Sequence, residues 1–179
     1  RLIVTPEISI PLFSDVMPKS YLSHIAAHAR NNGGDVLIGL AERTVNGSDD
    51  YYNTMFSYGS ASPQRYRKHH LVPFGEFIPL KPIFGWVIQV LQIPLSDFSR
   101  GSLDQQPMDL AGQRVAINIC YEDVFGEEII YQLPQATMLV NVSNDAWFGR
   151  SIGPQQHLQI SQMRALETGR YMLRATNTG

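Results

Sequence analysis

Two rhythms of apolar and polar residues take turns along this chain. Leu2 to Val4 reads as the end of a buried strand, stopped by Pro6. From Pro18 to Asn32 the spacing turns helical: Leu22, Ile25, Ala26 and Ala29 fall at i, i+3, i+4 and i+7, and Gly33-Gly34 ends the run. Val36 to Leu40 is a short continuous apolar run, the pattern of a strand covered on both faces. A turn-rich loop at 45–50 leads to two further strand candidates, Tyr51 to Tyr58 and Tyr66 to Val72. After a proline-punctuated stretch from Pro73 to Pro94 come a strand at Arg114 to Ile119, a helix at Val124 to Gln132 and a strand at Thr137 to Val142. Pro154 suits the first turn of a helix running to Glu167 with Gly169 as its stop, and Tyr171 to Ala175 closes as a strand. Strands alternating with helices, with the pair at 51–72 breaking the rhythm, predict a layered α/β fold with a mixed sheet.

One segment fits neither rhythm. Residues 78–95, IPLKPIFGWVIQVLQIPL, hold a single charge and three prolines. A buried core helix over Ile83 to Ile93 is one reading; an exposed apolar arm touching lipid is the other.

Composition narrows the function classes. The net charge is −2, so binding nucleic acid by neutralising phosphates is not expected. Apolar residues make up 44%, too many for a disordered chain. Charged residues make up 17%, below the roughly 25% usual in soluble domains, which hints that part of the surface faces something other than water. The single cysteine excludes an internal disulfide and a multi-cysteine zinc site. The opening Arg1-Leu2-Ile3-Val4 and the closing Thr176-Asn177-Thr178-Gly179 read as cuts through a longer protein, incomplete at both ends.

That cysteine, Cys120, follows the apolar strand and precedes Tyr121-Glu122-Asp123. A side chain at the carboxyl end of a strand in an α/β fold is presented to a cleft. Most lone cysteines are inert and buried, and neighbouring carboxylates raise a thiol's pKa. A working thiolate therefore needs a base and a cation from elsewhere. Glu7, after Pro6, can take a thiol proton from a partly dry pocket. Lys68, at a strand end, can lower the thiol pKa and stabilise an oxyanion. Glu76 follows in VPFGEF. Each alone is more often an ordinary surface charge. A Cys–His pair is the rival chemistry, drawing on His24, His28, His69, His70 or His157. His24 and His28, four apart, could also pair on a metal, but no HExxH accompanies them.

The combination of Glu7 after TP, Lys68 in KHHLVPFGEF and Cys120 in NICYED resembles the nitrilase, or carbon–nitrogen hydrolase, superfamily. With CYEDVFG, VNVSNDAWFG and HLQISQMRALETGRYMLRATNTG added, the chain is similar to that superfamily's apolipoprotein N-acyltransferase branch from TPE to NTG. The first block reads TPEISIP where a tryptophan before the proline would be expected. The resemblance implies a four-layer α-β-β-α sandwich with mixed sheets, and a Glu–Lys–Cys triad of Glu7, Lys68 and Cys120. It implies supporting or substrate-binding roles for Glu76, Tyr121, Glu122 and Trp147, and no cofactor or metal. It further implies a phospholipid acyl donor, an apolipoprotein acceptor, membrane helices upstream of this chain, and a place on the periplasmic side of the bacterial inner membrane. In that setting the 78–95 segment becomes an arm at the membrane surface. Two alternatives remain open: a soluble amidase or nitrile hydrolase in which water resolves the thioester, and a non-catalytic binding module of the same fold.

Overall fold

The computed structural model describes residues 1–44, 51–79 and 97–179. Among them are two four-stranded sheets. The first is built from β1 (Leu2–Val4), β2 (Asp35–Arg43), β3 (Tyr51–Gly59) and β4 (Arg65–Arg67), in that order. β1 runs parallel to β2, and the other neighbours are antiparallel. The second follows the order β5 (Met108–Leu110), β6 (Gln113–Ile119), β7 (Met138–Ser143) and β8 (Tyr171–Thr176). Here β5 pairs antiparallel with β6, while β6, β7 and β8 are parallel.

The alternation of side chains sorts the layers. On β2, Val36, Ile38 and Leu40 pack with Ala29, Leu22 and Ile25 of helix α1 (Lys19–Asn31). Leu37, one position out of phase, joins Met55 and Tyr66 against Val115, Ile117, Ile119, Val140 and Val142 of the second sheet. β2 is thus covered on both faces, as its unbroken apolar run predicts. On the far side, Ala116 and Leu139 pack with Ile129 of the one-turn helix α2 (Gly126–Ile129) and with Ala136. Helix α3 (Gly153–Thr168) lies against β8. The result is the expected order: helix, sheet, sheet, helix. α3 begins with Pro154 in its first turn and stops at Gly169, whose φ of 62° favours a residue without a Cβ.

Three expectations need correction, and one strand is new. β1 is half-exposed rather than buried, with Ile3 53% accessible. The strand expected over 66–72 ends at Arg67, because the backbone N–H groups of His69 and His70 leave the ladder to donate to the Glu122 carboxylate. The helix expected over 124–132 is broken into the 3₁₀ turn Cys120–Val124, α2, and the 3₁₀ turn Ile130–Gln132. β5, too short to show a period, was not foreseen. Of the 78–95 segment, only Ile78, which is buried, and Pro79 lie within the described residues; the proposed arm falls outside them.

Candidate active site

Glu7, Lys68 and Cys120 each stand just past the end of a strand, and the two sheets contribute from opposite sides. Glu7 is set by a close approach. Gly39 on β2 lets the strand carry the 5–8 segment directly on its backbone: a Cβ there would lie 2.5 Å from the Pro6 oxygen and 2.7 Å from the Ile8 nitrogen. The Thr5 N–H donates to the Leu37 carbonyl (3.0 Å) and the Gly39 N–H to Thr5 Oγ1 (3.2 Å), pinning the segment.

Lys68 follows β4 and is 1% exposed. Its backbone N–H donates to the Asn53 carbonyl of β3 (2.8 Å), which turns the side chain inward. The Nζ donates to Glu7 Oε1 (3.3 Å) and bridges Glu76 at 2.8 Å. Asn53 Nδ2 donates to Glu7 Oε1 (2.7 Å) and Glu76 Oε1 (3.2 Å), so the same amide ties both carboxylates together. From the other sheet, the Asn144 N–H just after β7 donates to Glu7 Oε2 (2.9 Å).

Cys120 directly follows β6 with φ at +52°, a left-handed conformation uncommon for a residue with a Cβ. The chain turns there into a 3₁₀ turn. Burial pushes the Cys120 thiol up, the Glu7 charge adds to this, and Lys68 and a hydrogen bond with Ser143 pull it down; the thiol settles at about 12. Burial works against the Lys68 ammonium, yet the Glu7 and Glu76 charges outweigh it and hold its pKa above the ordinary lysine value. The resting site therefore holds a thiol beside a charged ammonium. Sulfur becomes nucleophilic only as its proton leaves, and a base has to act during attack.

Glu7, Lys68, Glu76, Cys120, Tyr121 and Trp147 all line one cavity of about 730 Å³. Its remaining walls are largely apolar, with Ile8, Val72, Val124, Phe148 and Ile160 among them. Trp147 stands at the rim, 69% exposed. Glu122 is placed differently. It is 3% exposed and lies outside this lining. Its Oε1 accepts from the His69 (2.7 Å) and His70 (3.0 Å) N–H groups, its Oε2 accepts from the Ile119 N–H (2.7 Å), and the Tyr66 hydroxyl donates to both oxygens. Burial pushes the carboxyl up to about 7 against these donors. Glu122 thus fastens the Lys68 loop of one sheet to the Cys120 turn of the other.

A family model for carbon–nitrogen hydrolases matches residues 1–179. The chain belongs to the carbon–nitrogen hydrolase family. Within the family it is 76% identical over its full length to an apolipoprotein N-acyltransferase of Nitrosomonas europaea and 51% identical to one of Methylococcus capsulatus. It spans 36% and 35% of those proteins, about a third of the length of the curated relatives it matches. Among solved structures it is similar in fold to yeast Nit3 of the nitrilase superfamily, with a TM-score of 0.68 and 16% identity. That match covers 98% of this chain and 62% of Nit3. A carbon–nitrogen hydrolase of Helicobacter pylori gives a TM-score of 0.67 at 17% identity, over 99% of this chain and 61% of the other.

Sequence reasoning did not single out Asn53 or Asn144, and it named His157 only as one of five histidines for a Cys–His pair. A polar residue inside the apolar run of β3 and the SND that follows β7 were the signals available. Among the described residues, no group of three or more His, Cys, Asp or Glu side chains is arranged to hold a metal ion, and no helix is long and apolar enough to cross a membrane.

Proposed function

We propose that this chain is the catalytic domain of an apolipoprotein N-acyltransferase, working through a thioester on Cys120. The convergence of Cys120, Lys68 and Glu7 in one apolar-walled cavity carries the reading. The match of the whole of this chain to about a third of relatives of that name supports the substrate class.

The steps follow from the groups present. Glu7 takes the Cys120 proton as sulfur attacks the ester carbonyl of a phospholipid acyl chain. The S–C bond forms, and the carbonyl oxygen takes the negative charge. An ammonium carries three N–H groups, so Lys68 can serve both carboxylates and still donate to that oxygen. The ester C–O bond then breaks, Glu7 returns the proton to the leaving alcohol, and a lysophospholipid departs. In the second half the α-amine of a diacylglyceryl-cysteine attacks the thioester. Glu7 accepts the amine proton, the C–S bond breaks, and the proton passes to the sulfur, restoring the thiol. A thiolate serves as both nucleophile and leaving group, so one hard step becomes two easier ones. Glu76 holds Lys68 in place, and Tyr121 and Trp147 form the wall that the acyl chain passes. The same reading places the domain beside the bacterial inner membrane, on its periplasmic side, with the 78–95 segment touching lipid.

The test uses the full chain with phospholipid vesicles and a diacylglyceryl lipopeptide acceptor. Wild type forms a hydroxylamine-sensitive acyl adduct on Cys120 and transfers the acyl group to the peptide, whereas Cys120→Ala does neither. Undiminished transfer by Cys120→Ala, or release of free fatty acid with no acylated peptide, overturns the reading.

A further inference from the structure

Against the Cys120 carbonyl lies a second polar cluster that the steps above leave unused. It centres on His157, 6% exposed on the inward face of α3. Its Nε2 lies 3.0 Å from Asp123 Oδ1 and 3.2 Å from the Cys120 carbonyl oxygen, and its Nδ1 lies 3.2 Å from Asp145 Oδ1. Both ring nitrogens thus face acceptors only, and a neutral imidazole can donate from just one of them. The charges facing the ring reach the same conclusion. Asp123 comes from the 3₁₀ turn after Cys120, Asp145 from the 3₁₀ turn after β7 (Asp145–Phe148), and Arg174 from β8. Arg174 donates to Asp145 Oδ2 (2.8 Å), while Ser161 Oγ donates to Asp123 Oδ2 (2.5 Å) and Ser143 Oγ to Asp145 Oδ1 (2.6 Å). Among the described residues Arg174 is the only other cation in this buried group, so a neutral His157 would leave one carboxylate uncompensated. An imidazolium balances it.

The Cys120 carbonyl is the point of contact with chemistry. It accepts from His157 Nε2 and from Asn141 Nδ2 (3.1 Å). The Cys120–Tyr121 peptide is trans, so its N–H points opposite to its carbonyl. Anchoring the oxygen therefore fixes the direction of the Tyr121 N–H, a donor next to the reactive sulfur. It also holds Cys120 at its positive φ, a conformation that persists only where its surroundings over-determine it.

We propose that His157, as an imidazolium clamped between Asp123 and Asp145, is a positioning residue that sets the Cys120–Tyr121 peptide for attack. It lines the wall of the cavity, acts through the Cys120–Tyr121 peptide and takes no proton from the reaction. The proposal rests on Cys120 being the nucleophile. The direction of the His157 shift agrees with the geometry: burial opposes the charge, but the Asp123 and Asp145 contacts outweigh it and raise the pKa above the ordinary histidine value.

The full chain with 15N-labelled histidine tests the charge state, and variants test the role. In wild type both His157 ring nitrogens give imidazolium shifts at pH 7.5, assigned by their loss in His157→Gln. His157→Leu lowers kcat about tenfold or more with KM changed less than about twofold, as expected for a lost charged hydrogen bond that acts through geometry. His157→Gln keeps an Nε2 donor without the charge, recovers part of kcat and loses the fall in rate that wild type shows as pH rises past His157 deprotonation. A neutral His157 ring at pH 7.5 overturns the proposal even if the Leu variant fails to fold, as does a folded Leu variant with wild-type kcat and pH profile. Activity in Cys120→Ala sinks the thioester reading instead and leaves the His157 charge state measurable.

Discussion

Adding one methyl group at Gly39 should silence the site from a distance. The Gly39→Ala side chain points at the segment that carries Glu7, with its Cβ 2.5 Å from the Pro6 oxygen, 2.7 Å from the Ile8 nitrogen and 3.2 Å from the Glu7 carbonyl carbon. These are backbone atoms with no rotamer to yield, so the segment must lift from β2 by roughly 1 Å to regain van der Waals distance. The lift strains the Thr5 contacts to Leu37 and Gly39 and carries Glu7 away from Asn53, Lys68 and the Asn144 N–H. Overpacking of this kind costs about 1–3 kcal/mol of stability. A displacement of about 1 Å in a catalytic group can cost about 100-fold in rate. Steady-state transfer by full-length Gly39→Ala should show that loss in kcat, with KM little changed and the far-UV spectrum intact. A double-mutant cycle isolates the cause. On a Glu7→Gln background, where the proposed base is already gone, Gly39→Ala should add little further loss. A folded Gly39→Ala protein with kcat within about twofold of wild type would refute the reasoning, as would full additivity with Glu7→Gln.

Further outcomes follow from the same contacts. Glu122→Gln must turn an NH₂ group toward backbone N–H donors whichever way the amide lies, so urea unfolding should show a loss of about 2–4 kcal/mol. Lys68→Met leaves Glu7 and Glu76 side by side without their cation. Iodoacetamide labelling of Cys120 at pH 8, followed by mass spectrometry, should slow markedly, since Lys68 is the nearby charge that favours the thiolate. The raised pKa of His157 makes its charged form a folded-state asset. Its contribution is fully present below about pH 6.5 and is lost as pH rises through the folded value. The stability gap between wild type and His157→Gln in urea should accordingly narrow with rising pH; a gap that widens would reverse the assignment.

How far the sequence could lead depended on whether a feature was local. The α1 stripe of Leu22, Ile25 and Ala29 and the stop at Gly169 are written in short windows, and the structure places both as read. The end of β4 was misread because a distant residue decides it: Glu122 draws the N–H groups of His69 and His70 out of the ladder. Glu7, Lys68 and Cys120 were legible as a motif, and their spacing in the chain says nothing about their approach in space. α3 shows the opposite failure. It turns His157 and Ser161 inward and leaves Leu158, Met163 and Leu166 accessible, so its apolar periodicity carried no hint of the cluster against the Cys120 carbonyl.

The two sheets bring their reactive groups to the cavity from opposite sides, Cys120 from one and Lys68 with Glu7 from the other. The interlocked side chains of Leu37, Met55, Ile117 and Val140 therefore act as a spacer gauge for the chemistry. Trimming one of them, well away from any substrate, would let the halves settle closer and detune the gap between sulfur, acid and amine before the protein showed any sign of unfolding.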